Sequence, residues 1–211
     1  PSNPPQARDG HDPASPAVIL SVGRAVAKKG YDDLVAALAR LPADLAWRFV
    51  HVGGGPMLTD LKRQARALGI AERMEWLGAQ PQEIVLDRYR QADLFVLASR
   101  IAADGDRDGL PNVLAEAQSQ RLAVVASRIA AVPELIEDGI TGLLVEPHDP
   151  VALAMALTTL IRDPSQRARL AAAGFERVHR QFDLRCGVDQ LAQLFGLAPA
   201  EAQTPQARSC A

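Results

Sequence analysis

Apolar and polar positions follow two rhythms along this chain, and the rhythms take turns. Six short runs are apolar almost throughout: AVILSVG (17–23), WRFVHVGG (47–54), RMEWLG (73–78), ADLFVLAS (92–99), LAVVAS (122–127) and GLLVEP (142–147). Runs of this length read as strands buried on both faces. Between them, apolar residues recur every three or four positions. Over 31–41 this puts Leu34, Val35, Leu38 and Leu41 on one helical face. The same periodicity predicts helices over 57–68, stopped at Gly69, over 82–91 and over 111–120, and a helical turn over 132–137. From Pro150 the chain turns to Ala, Leu, Arg and Gln, which predicts helices over 151–162, 165–181 and 184–197. Residues 1–16, rich in Pro and polar side chains, read as a linker or lead-in, and 198–211 as a polar tail. Strands alternating with helices predict an α/β fold: a Rossmann-like, mostly parallel sheet with helices on both faces, followed by C-terminal helices. The expected organisation is one domain over 17–182, a C-terminal helix over 183–197 and the two flanking segments.

Composition narrows the class. The chain has 211 residues, and 48% hydrophobic content supports a sizeable core. A formal net charge of -2 offers no basic excess for nucleic acid. Cys186 and Cys210 have no metal-ligand spacing and suggest no disulfide framework, which fits a reducing, cytoplasmic setting. No apolar run approaches a membrane span and no signal peptide is visible. The chain begins with Pro1, so the expectation is a fragment of something longer.

Candidate chemistry gathers at one edge. In open parallel sheets, ligands bind beyond the carboxyl ends of the strands. Those ends here are Gly23-Arg24, Gly53–Gly55, Gly78 and Ala98-Ser99, and glycine there lets backbone approach a ligand. Each Gly can equally be a tight turn; the set as a whole favours a site. Arg24 and Lys29 follow the first strand and are placed to neutralise a diphosphate, with Lys28 as a solvated neighbour. The stretch DGLPNVLAEA (108–117) puts Gly109, Leu110 and Pro111 at a helix start, with Pro111 expected at the first helical position. Its first-turn N–H groups suit an anion. Asp108 stands ahead of the turn, and Glu116 leans back toward it. Read alone, the stretch is equally an ordinary helix start with a solvated Glu.

Other motifs carry less. GGGP (53–56) is similar to a dinucleotide loop but is not G-x-G-x-x-G and follows the second strand, so a nicotinamide or flavin site is not expected. Asp104-Gly105-Asp106 is a D-x-D that could hold a divalent cation; a solvated acidic loop is the expectation. His51, inside the second strand, reads as a buried hydrogen-bonded residue, and His148 and His179 as structural or solvated.

Together these segments resemble the C-terminal, donor-binding half of a family 4 retaining glycosyltransferase of the glycosyltransferase B architecture. The resemblance runs from about residue 17 to about 185. It rests on an ordered set: SVGR with KKG (21–24, 28–30), VGGGP (52–56), WLG and YRQADLFVLAS (76–78, 89–99), DGLPNVLAEA (108–117) and VPELIEDGITGLLVEPHDP (132–150). The family motif is Glu, seven residues, Glu; here Asp108 takes the first position and Glu116 the second. The resemblance implies that Arg24 and Lys29 hold the donor diphosphate and Asp108 contacts hydroxyls of the transferred sugar. Backbone at Gly109, Leu110, Pro111, Asn112 and Val113 would face the phosphates, and Glu116 the ribose. Gly78 and Ala79 would lie near the base, and Gly23, Gly53, Gly54 and Ser99 would complete the donor site. It implies transfer from a UDP- or GDP-linked sugar with retention, no metal or other cofactor, and a glycan or lipid-linked acceptor in exopolysaccharide or lipid-linked oligosaccharide synthesis. The setting would be cytoplasmic, including the inner face of the membrane. The family's acceptor half is an N-terminal domain absent from this chain, so donor binding without efficient transfer is expected, and the helix over 184–197 is expected to expose an apolar face. The alternatives are a non-catalytic nucleotide-binding module and a sugar-nucleotide epimerase of related fold.

Overall fold

The computed structural model describes residues 8–181. The helices predicted over 184–197 and the tail lie outside them. Six parallel strands form one sheet: β1 (Ala17–Val22), β2 (Trp47–Val52), β3 (Met74–Trp76), β4 (Leu94–Leu97), β5 (Ala123–Ser127) and β6 (Leu143–Val145). Their order is β3-β2-β1-β4-β5-β6, so the chain reverses direction across the sheet between β1 and β4. The helices are α1 (Tyr31–Leu38), α2 (Leu58–Ala67), α3 (Gln82–Gln91), α4 (Asn112–Ser119), α5 (Val132–Leu135), α6 (Pro150–Arg162) and α7 (Pro164–Gln181). This is the expected α/β architecture.

Alternation along each strand divides the core in two. Ile19, Phe49, Leu94, Val96 and Val125 face a cluster containing Leu34, Val35 and Leu38 of α1, Leu61 of α2 and Leu153, Leu157 and Leu160 of α6. Leu20, Val50, Phe95, Leu97 and Val124 face the other cluster, with Tyr89 of α3, Leu114 and Ala117 of α4, Leu135 of α5 and Val178 of α7. Both faces are covered, which is why the strands read as continuous apolar runs.

Boundaries shift where local hydrogen bonding overrides pattern. The 31–41 periodicity ends as regular helix at Leu38, because Arg40 N–H and Leu41 N–H turn back to Ala37 and Leu38 carbonyls just ahead of Pro42. α6 begins at Pro150, one residue early, because Asp149 caps it by accepting from Val151 and Ala152 N–H at 3.0 and 2.8 Å. Residues 8–16 form no helix or strand, yet residues 8–10 are docked. Gly10 is buried and its carbonyl accepts from Ala46 N–H at 2.7 Å. Arg167 reaches the Arg8 carbonyl at 2.7 Å, and Arg8 pairs with Asp93 at 2.8 Å.

Candidate functional site

Because the strands are parallel, the loops leaving β1, β2, β3 and β4 open on one edge, and backbone bonds lace them together. Gly23 N–H donates to Val52 O at 2.9 Å, Gly53 N–H to Gly78 O at 2.8 Å, and Ala25 N–H to Gly54 O at 2.8 Å. Gly53 has φ +148, and a Cβ there would run into the Gly23 carbonyl oxygen. Only glycine lets these two loops meet. Gly54, Gly78 and Gly109 are the opposite case: a Cβ on any of them would meet nothing within 4 Å, so they border open space.

Beneath this lacing lies His51, fully buried in β2. Its Nε2 lies 3.0 Å from Gly23 O, and its ring packs edge-on against Tyr31 with centroids 4.6 Å apart. Burial pushes its pKa down to about 4, despite the Gly23 bond working the other way. A neutral imidazole bonded to a loop carbonyl is a structural pillar, as its position in the strand suggested.

The charged residues enter from two sides. After β1, Ala27–Lys29 make a 3-10 turn that ends on Gly30 in the left-handed conformation, φ +59. Lys29 Nζ sits 2.7 Å from Asp108 Oδ2, with the two side chains only 12% and 18% exposed. Lys28 Nζ reaches Asp106 at 3.0 Å and Asp108 at 3.4 Å. Its hydrogen bond to Asp106 holds its pKa above the ordinary lysine value. Lys28 is therefore part of the cluster and not the solvated neighbour that the sequence suggested. Of the D-x-D pair, Asp106 is engaged by Lys28, and Asp104 Oδ1 accepts from Asp106 N–H at 3.0 Å within its own loop. Arg24 is exposed on the loop after β1.

Helix α4 begins beside this cluster. Pro111 is not its first residue. With φ -68 and ψ 117 it is extended and serves as N-cap, its carbonyl accepting from Leu114 N–H at 3.0 Å, so Asn112 starts the helix. No side chain caps α4, so its exposed end offers N–H groups around Asn112 and Val113. Glu116, exposed one turn further in, accepts from the Tyr89 hydroxyl at 3.1 Å. Burial, and then the Glu116 charge, push the Tyr89 phenol up, so it remains a donor. Asp108 and Glu116 thus have different partners, Lys28 and Lys29 for one and Tyr89 for the other. Ser99 is buried at the end of β4, and its Oγ has no hydrogen-bond partner among the described residues. Ala79, Gly109 and Asn112 are exposed, Leu110 is half-buried and Pro111 is buried.

Two residues escaped sequence reasoning. Tyr89 is a core aromatic of α3 with its hydroxyl turned to Glu116 of α4. Arg100 follows Ser99 directly, at the start of a polar loop. It donates to Asp32, Asp33 and the Ala27 carbonyl. The adjacent Asp32-Asp33 pair was the available signal: two acids in a helix first turn invite a forked cation.

Known proteins resemble this chain. A family model described as glycosyl transferases group 1 matches residues 5–177. A GDP-mannose-dependent alpha-(1-6)-phosphatidylinositol monomannoside mannosyltransferase of Mycolicibacterium smegmatis is 35% identical over 159 residues, covering 74% of this chain and 42% of that protein. The amylovoran biosynthesis glycosyltransferase AmsK of Erwinia amylovora is 32% identical over 180 residues, covering 85% and 44%. Anabaena Alr3699/HepE, solved in complex with UDP, superposes with a TM-score of 0.77 at 25% identity, over 87% of this chain and 50% of that one. The chain spans about half the length, or less, of the relatives it matches. Among the described residues no helix is long and apolar enough to cross a membrane.

Proposed function

Because this chain belongs to the group 1 glycosyl transferases, we propose that it forms the donor-binding half of an enzyme transferring a sugar from a UDP- or GDP-linked donor to a glycan or lipid-linked acceptor. The observation that carries this reading is the Lys28–Asp108–Lys29 cluster at the mouth of the sheet, between open glycines and the uncapped start of α4. A diphosphate fits that chemistry: two lysines, the nearby Arg24 and the N–H groups at Asn112 and Val113 all favour negative charge. As the glycosidic bond breaks, the leaving diphosphate gathers charge, and these cations and N–H groups stabilise it, the lysines exchanging their carboxylate partners for phosphate oxygens. Asp108 then faces the sugar hydroxyls and Glu116, oriented by Tyr89, the ribose, with Gly78 and Ala79 lining the base. Retention of configuration and independence of metal belong to the same proposal; the engagement of Asp106 by Lys28 supports the latter.

Support for the donor class comes from the relatives, one named for GDP-mannose and one solved with UDP. The test is calorimetry of the 211-residue chain with UDP and GDP. Binding of one of them, weakened about tenfold or more by Arg24→Ala and by Glu116→Ala, is expected. No affinity for either nucleotide or its sugar conjugates would overturn the reading.

A further inference from the structure

We propose that Arg100 is a positioning residue for the diphosphate site, setting where Lys29 stands. The proposal rests on the donor reading above and adds a residue which that reading does not use.

Lys29 needs its backbone held in place. A lysine side chain is long and mobile, so the height of its ammonium depends on where its backbone is held. That backbone is the last residue of a single 3-10 turn, Ala27–Lys29, with few internal bonds of its own. Arg100 supplies the missing restraint from the other side of the site. Its Nε donates to the Ala27 carbonyl at 3.0 Å, and its backbone N–H donates to the Lys28 carbonyl at 2.8 Å. The two residues immediately before Lys29 are therefore both tied to Arg100.

The guanidinium is itself anchored. One terminal nitrogen lies 2.8 Å from Asp33 and the other 2.9 Å from Asp32, both in the first turn of α1. The Arg100 side chain is only 14% exposed. Burial alone would lower its pKa, but the hydrogen bonds to Asp33 and Asp32 outweigh this and hold it above the usual arginine value. Two carboxylates, one backbone carbonyl and a planar fork make a geometry that lysine cannot copy. The turn also lies hard against β4, for a Cβ on Gly30 would run into the Ala98 carbonyl. The end of β4, the turn bearing Lys28 and Lys29 and the first turn of α1 are thus fastened as one piece. On the far side of the same loop, Lys28 and Lys29 grip Asp106 and Asp108. Arg100 fixes the cationic wall, and the lysines fix the acidic one.

If Arg100 acts through Lys29, its removal should be felt by a ligand's second phosphate more than by the rest of the nucleotide. The experiment measures dissociation constants of the 211-residue chain for UDP, UMP, GDP and GMP, with Arg100→Ala, Arg100→Lys, Lys29→Ala and Arg100→Ala/Lys29→Ala, alongside thermal melts. For the nucleotide pair that binds, Arg100→Ala should weaken the diphosphate about tenfold and change the monophosphate by less than about twofold. Arg100→Lys, which keeps the charge and loses the fork, should lie between wild type and Arg100→Ala. In the Lys29→Ala background, Arg100→Ala should add less than about twofold, because its effect is routed through the missing ammonium. Equal weakening of mono- and diphosphate with a lowered melting temperature would make Arg100 a merely structural residue and overturn the proposal. So would additive effects with Lys29→Ala, or an unchanged diphosphate affinity. If Arg100→Ala does not fold, Arg100→Lys decides by the same diphosphate-to-monophosphate ratio. Wild-type chain that binds neither diphosphate removes the donor reading and this proposal with it; wild-type binding unaffected by Arg100 removes this proposal alone.

Discussion

Asp108 shows how one carboxylate sets a site's electrostatics. A carboxylate there sits between two ammonium groups, at 2.7 Å from Lys29 and 3.4 Å from Lys28. It neutralises the same cations that a diphosphate would use. Replacing it with a neutral amide frees them and removes a repulsive charge. Asp108→Asn should therefore tighten binding of the bare nucleoside diphosphate by severalfold, about 1 kcal/mol, while lowering transfer from the sugar donor. Weaker diphosphate binding by calorimetry would contradict this. His51 makes a second residue-scale prediction. Its pKa falls from 6.5 in the unfolded chain to about 4 in the fold because burial disfavours the imidazolium. The unfolded chain binds the extra proton between those values, so the contribution is complete above pH 6.5 and is lost as pH falls toward 4. On the order of 3 kcal/mol is at stake. Urea titrations across that window should show a stability slope that His51→Gln lacks.

At the scale of elements, loops and caps can be told apart by what they hold. Gly53 holds the loop after β2 against the loop after β1. Gly53→Ala would force a residue at φ +148 and drive its Cβ into a backbone oxygen. It should cost on the order of 2 kcal/mol or more, and nucleotide affinity should fall with it because the site's floor is displaced. Asp149 is the contrasting case. It caps α6 through two N–H groups, while the lysines of the cluster pair with Asp106 and Asp108. Asp149→Ala should cost about 1 kcal/mol in denaturation and leave nucleotide binding unchanged. Nearly all elements were legible because their signals are local: apolar runs for strands and three-and-four spacing for helices. Pro111 was misplaced by one position because proline is compatible with both N-cap and first turn; its ψ of 117, set by the loop before it, decided the matter. Arg100 and Lys28 were missed for another reason. A charged side chain in a loop has no period, and its partners lie 67–68 residues away for Arg100 and 78 for the Lys28–Asp106 pair.

For the molecule as a whole, the chain matches only part of each relative, 42% of one and 44% of another. Its Lys28–Lys29–Asp108 cluster lies on the open strand edge. We expect the 211-residue chain to bind donor nucleotide and to transfer sugar only when joined to an acceptor-binding half, as measured by product formation from a nucleotide sugar. Turnover by the chain alone would refute this. The lead-in also belongs to the whole: Arg8 and Gly10 are held by Asp93, Arg167 and Ala46, so polar composition did not leave residues 8–10 loose. By itself, the sequence determined the alternating elements, the parallel sheet they imply and the edge on which Gly23, Gly53, Gly78 and Ser99 would gather, since periodicity and strand direction follow from backbone geometry. Only the tertiary structure decided which charges meet. Lys29 pairs with Asp108, Lys28 with Asp106 and Arg100 with Asp32 and Asp33 because separate loops converge at one edge, and an ion pair a few ångströms long depends on that convergence and not on the order of residues along the chain.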